Sequence, residues 1–210
     1  MHMHDNSNGA KGKLLMPKVV DHEERRRTLA KAIVDIAGEK GLKGATLRAV
    51  AKQAGLSMGA VQHYFTDREA MLDFVLDYVQ QQRGDRIRCA IEQLKNPQPN
   101  SMLWAMVKEI LFADETNLTF QKVHMMFVSR AFGHQPTAAK LGEGRATVVQ
   151  LFEQLLGDSG AKNPKEAAET LWSLMESLPT DIILGQHTYD SAMNTTKAVL
   201  AAFGITDVDD

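Results

Sequence analysis

From about position 21 onward, apolar residues recur at three- and four-residue spacings, and no stretch alternates apolar with polar long enough to specify a strand. An all-α fold of about nine helices is therefore expected. The opening MHMHDNSNGAKGKLLMPK is polar, rich in Gly and Asn and aperiodic, so residues 1–20 are expected to be a flexible arm. Met16 could be the original start, and His2 and His4 need no metal. A first helix is predicted over about 21–40, with Leu29, Ile33, Ile36 and Ala37 on one stripe and Gly41 as its stop. Thr46 should cap a short helix to about Gln53, Gly55 should turn the chain, and Ser57 should cap another helix to about Tyr64. Asp67 opens a longer helix carrying Met71, Leu72, Val75, Leu76, Val79 and Ile87 toward a stop at Asn96-Pro97-Gln98-Pro99-Asn100, where two prolines forbid continuation. Further helices are predicted over about 101–113, 115–132, 136–156, 164–186 and 190–203.

Charge divides this helical chain into two unlike parts. Its 24 basic and 26 acidic residues give a net −2, which alone would argue against a nucleic-acid partner. Residues 1–68, however, hold 12 Lys/Arg against 7 Asp/Glu, net +5, whereas residues 69–210 hold 12 against 19, net −7. The front third is suited to phosphate, and the remainder would repel it. The single cysteine, Cys89, excludes an internal disulfide and a single-chain cysteine metal cluster. No apolar run reaches the roughly 20 residues that span a bilayer, and the N-terminus lacks an apolar signal segment, so a cytoplasmic protein without membrane, metal or cofactor is expected.

The segment Thr46 to Phe65, TLRAVAKQAGLSMGAVQHYF, meets the demands of two short helices crossing steeply. Ala51 is small where the helices touch, Gly55 accepts the positive φ of the turn, and Val50, Leu56, Val61 and Tyr64 supply apolar contacts. The second helix would enter a major groove with Met58, Gly59, Ala60, Gln62 and His63 outward. Gln62 can pair bidentately with adenine, and Met58 or Ala60 can touch a thymine methyl. Arg48 would reach a guanine or a phosphate. Thr46, Ser57, His63, Tyr64 and Arg68 are suited to gripping the backbone near helix N-termini, contacts that position without specifying. The arm with Lys11, Lys13 and Lys18, followed by Arg25, Arg26 and Arg27, could lie along the duplex.

These residues resemble the signature of the tetracycline-repressor-like (TetR) regulators. The resemblance rests on Thr46, Ala54-Gly55-Leu56-Ser57, Gly59, Tyr64-Phe65, Arg68-Glu69 and Met71-Leu72, and covers about Arg25 to Leu76. The chain departs from the family in carrying Gln62 where many members have Tyr, and Arg68 where they have Lys; the first puts an amide in place of a phosphate contact, so operator sequence does not transfer. The number and order of later helices match the family, and the final stretch is similar to the ligand domains of its betaine-regulator-like members.

The resemblance implies a helix-turn-helix domain at 21–66 and a ligand-binding and dimerisation domain at 67–210. Its last two helices would pair with those of a second chain through Leu171, Leu174, Leu178, Ile182, Thr195, Val199 and Ala202. Candidate ligand contacts are Trp104, Phe112, Phe120, Phe127, Phe152, Trp172 and Met175, with His124, Arg130 and Glu176 as polar groups in apolar surroundings. The function implied is a homodimeric repressor released from palindromic double-stranded DNA by a small-molecule effector. The alternatives are an architectural or accessory DNA-binding protein of the same fold without a ligand, and an enzyme. The chain contains no phosphate-binding glycine loop, nucleophile elbow or zinc-helix motif, which disfavours the last.

Overall fold

The computed structural model describes residues 18–111 and 114–206. Among these the chain forms nine helices and no strand: α1 (Lys18–Gly44), α2 (Leu47–Ala54), α3 (Met58–Tyr64), α4 (Arg68–Glu92), α5 (Pro99–Leu111), α6 (Glu115–Ala131), α7 (Gln135–Asp158), α8 (Pro164–Ile183) and α9 (Tyr189–Ala202). Phe112 and the stretch containing Lys11 and Lys13 lie outside the described residues. The helical course of α1 breaks at Gly41, which takes φ 71° and ψ 171°. The predicted stop therefore falls where it was expected, followed by a short turn to Gly44.

The boundaries of the short helices follow from local chemistry. Thr46, Ser57 and Asp67 each cap a helix by accepting a backbone N–H three residues on, at 3.2, 3.1 and 2.8 Å respectively. Gly55 sits in the left-handed region, φ 66° and ψ 28°, and closes α2, where any side chain would be strained. α4 ends at Glu92, short of the Asn96–Asn100 run, because its last turn closes through Gln93 N–H to Cys89 and Leu94 N–H to Ile91. Asp67→Ala is expected to cost about 0.5–2 kcal/mol, the usual loss of a cap, read as a lower melting temperature.

Two buried clusters organise the molecule. One gathers Leu29, Ile33, Val50, Val61, Phe65 and Leu72 from α1 to α4, and draws in Val123 and Phe127 of α6. The other joins α5, α7, α8 and α9 through residues such as Leu103, Phe152, Leu156, Leu171 and Met175. The first core therefore continues past residue 66, so α4 and α6 are built into the base of the helix-turn-helix rather than attached to it by a linker.

Candidate functional site

α3 owes its place to one buried residue. Val61 is fully buried beneath it, and Val50 and Ala51 of α2 pack in the same cluster. With that side fixed inward, Met58, Gly59, Gln62 and His63 are exposed and Ala60 is half-buried. Positions 58 and 62, and 59 and 63, are one helical turn apart, so the exposed residues form one ridge. A Cβ at Gly59 would meet nothing nearer than Ser57 Oγ at 4.0 Å. The interior does not require glycine there; a partner approaching closely from outside would.

The flanking residues divide into two groups. Thr46 and Ser57 use their oxygens as caps but retain hydroxyl protons, which can be given to a phosphate. Arg48 is exposed near the start of α2. Tyr64 is half-buried, tilted against His22 at 5.0 Å and edge-on to His63 at 5.6 Å. Arg68 also has a structural tie. Its guanidinium donates to the carbonyls of Leu42 at 2.6 Å and Ala45 at 3.2 Å, which ties the start of α4 to the end of α1.

A cavity of about 460 Å³ opens among α4, α5, α6, α7 and α8. Of the expected ligand contacts, Phe120, His124, Trp172 and Glu176 line it. The others do not. Trp104 is 2% exposed, with its indole N–H donating to the Thr206 carbonyl at 3.2 Å. Phe152 and Met175 are sealed in the core beside it, and Phe127 lies in the core beneath the helix-turn-helix. Arg130 donates to Thr137 Oγ1 at 3.2 Å and to the Glu69 carboxylate. Apolar spacing marks a buried face without revealing whether core or cavity lies behind it. Among the expected dimer contacts, Leu171 and Leu178 are likewise buried within the chain, whereas Leu174, Ile182, Thr195 and Val199 are half-buried and Ala202 is exposed.

The sequence places the cavity among the helices that begin near Asp67, Ser101, Glu115, Thr137 and Pro164, but not the residues of α4 and α7 that line it. Arg83, Arg86 and Ile87 follow Val79 at helical spacing, so two arginines fall on the stripe that otherwise faces inward. That placement was the available signal. Arg86 pairs with Glu109 at 2.8 Å. On α7, a Cβ at Gly144 would lie 3.3 Å from Gln80 Nε2, so the amide end of the α4 side chain reaches the α7 wall there. Burial pushes the Arg83 guanidinium below its ordinary pKa, with Glu176 opposing and Arg86 adding to the shift. For Glu176, burial favours the neutral acid, but His124, Arg83 and Arg145 together outweigh it and hold the carboxyl below its usual range.

A capped, glycine-turned helix pair with an outward ridge on its second helix defines a helix-turn-helix DNA-binding protein. The bacterial regulatory proteins of the tetR family match residues 29–75. The HTH-type transcriptional regulator PksA of Bacillus subtilis is 35% identical over 175 residues, covering 80% of this chain and 83% of its own. The regulator BetI of Paraburkholderia phytofirmans is 31% identical over 166 residues, covering 78% of this chain and 82% of its own. The crystal structure of a transcriptional regulator from Rhodococcus sp. Rha1 superposes with a TM-score of 0.76 at 26% identity, covering 88% of this chain and 99% of that one. The chain belongs to the tetR family of helix-turn-helix transcriptional regulators. Among the described residues no helix is long and apolar enough to cross a membrane.

Proposed function

We propose that this regulator is a repressor: two chains hold an inverted-repeat operator in the cytoplasm, and a small molecule entering the cavity releases it. The ridge of Met58, Gly59, Gln62 and His63 reads base edges, while Thr46, Arg48, Ser57 and Tyr64 hold the backbone. One such ridge covers too few bases to find a site in a genome. Two related by symmetry read half-sites about 34–36 Å apart. The half-buried Leu174, Ile182, Thr195 and Val199 with Ala202 on α8 and α9, joined by Leu184 at 64% exposure, supply an apolar face for the second chain.

The observation that carries effector release is the double attachment of α6. Its Asn117, Phe120, Gln121 and His124 form a cavity wall, and near its other end Arg130 binds Glu69 in the first turn of α4. His134, at the start of α7, lies 3.5 Å from the same carboxylate. The neighbouring Arg68 holds the carbonyls of Leu42 and Ala45. A shift of α6 on ligand binding therefore moves the start of α4, and with it the support of α2 and α3. Moving a population from 1:99 to 99:1 requires the ligand to prefer the released conformation by about 5.5 kcal/mol.

Fluorescence anisotropy of a labelled duplex, selected by the protein from genomic fragments, tests this in the presence of a small-molecule library. Compounds that quench Trp172 should also release the duplex. Compounds that fill the cavity and leave the duplex bound would favour an accessory protein. Arg130→Ala should still bind the duplex but lose about 0.5–2 kcal/mol of coupling, read as a smaller ligand-induced change in affinity. Undiminished release would move the linkage elsewhere.

A further inference from the structure

The cavity is apolar over much of its wall, yet its polar groups are unevenly satisfied. Among the described residues, four side-chain N/O atoms are buried without a hydrogen-bond partner, and three of them, Arg86 Nε, Asn117 Nδ2 and His124 Nε2, belong to cavity residues. Two of these three are donors in any state. His124 Nε2 lies 3.7 Å from Glu176 Oε1, too far for a hydrogen bond.

The charges point the same way. Arg86 is matched by Glu109 and Arg145 by Glu169. Arg83 has no ion pair or hydrogen bond among the described residues, although it lines the cavity and feels Glu176 at longer range. A guanidinium set against an apolar cavity without a carboxylate of its own is costly unless something else supplies the counter-charge. The acids, by contrast, are already engaged. The unfilled demand is therefore for hydrogen-bond acceptors beside a guanidinium without an ion pair, which an anion meets and a cation does not.

Resting on the effector-release reading above, we propose that the effector is an organic acid with an apolar body. Its carboxylate is received by Arg83 together with the unpartnered donor of Asn117, and its body lies against Phe120, Val128, Leu141, Val148 and Trp172. A carboxylate presents only acceptors, so it can engage the guanidinium fork and a neighbouring donor together. The cavity volume of about 460 Å³ falls in the range that holds a drug-sized molecule.

The test uses three probes with the same straight chain and different heads: decanoate, 1-decanol and decyltrimethylammonium, each below its aggregation concentration. Affinity for the full chain is read by calorimetry and Trp fluorescence, and release of the selected duplex by anisotropy. Decanoate should bind about tenfold to a hundredfold more tightly than either other probe, the worth of a hydrogen-bonded charge contact. Arg83→Met, similar in volume and uncharged, should erase the difference between decanoate and decanol, with thermal melting checking that it folds. Absence of decanoate binding, equal or tighter binding of decanol or the ammonium, or an undiminished decanoate preference in Arg83→Met would each overturn the proposal. Release of the duplex by decanol or the ammonium, without an advantage for decanoate, overturns the acid while effector release stands. Arg83-dependent decanoate binding that leaves the duplex bound supports the acid and overturns effector release.

Discussion

Replacing Gln62 with alanine is expected to weaken binding to the selected operator by about 30-fold to 10⁴-fold while leaving the melting temperature unchanged. Gln62 is exposed at the centre of the α3 ridge, one turn from Met58, and Val61 beside it carries the packing. Truncating Gln62 therefore removes no buried contact. A bidentate amide–base pair is worth about 1–3 kcal/mol, and a symmetric pair of chains loses it twice, or about 2–6 kcal/mol in all. Binding to random duplex should change far less, because that affinity comes from phosphate contacts made by other residues. Equal losses on operator and random DNA would assign Gln62 to the backbone instead.

Phe152→Ala is expected to destabilise the chain by about 3–5 kcal/mol, the cost of emptying a sealed aromatic site. For a chain of this size that corresponds to a fall in melting temperature of roughly 6–20 °C. Phe152 is fully buried among the residues that join α5, α7, α8 and α9. Phe120 provides the contrast. It is half-buried on the cavity wall, with its ring 6.1 Å from that of Tyr78, so its removal enlarges a space that already exists. Phe120→Ala should therefore melt closer to the unmodified protein and show its effect on ligand affinity. Thermal melting of the two variants side by side checks the division. If Phe152→Ala melts as high as Phe120→Ala, the sorting of core from cavity fails.

What could be read from the sequence followed the range of the interactions involved. Caps at Thr46, Ser57 and Asp67 and the turn at Gly55 depend on residues within three or four positions, and each lies where local chemistry put it. The outward ridge of α3 follows from helical periodicity once Val61 is assigned inward. The tie that Arg68 makes is not legible in the sequence, because its partners, the Leu42 and Ala45 carbonyls, are 26 and 23 residues away and become acceptors only after α1 ends beside α4. The ion pair of Arg130 is hidden for a similar reason, since its carboxylate partner Glu69 lies 61 positions away.

The cavity shows a different limit. Trp104, Phe127, Phe152 and Met175 share composition and spacing with true wall residues, so no pattern on one helix separates them. The walls were partly legible elsewhere, in the two arginines of α4 that interrupt an apolar stripe, because a charge on a buried face needs a partner. Leu171 and Leu178 were similarly indistinguishable from Leu174 until α7 and α5 were packed against α8.

The most direct test is selection of bound fragments from genomic DNA, followed by sedimentation of the protein with the recovered duplex across a salt series. The expected result is an inverted repeat holding two chains, with affinity falling linearly in the logarithm of salt concentration and Gln62→Ala losing preference for that repeat. A single chain that binds no duplex selectively, even in low salt, would contradict the assignment of α3 as a groove-reading helix presented twice.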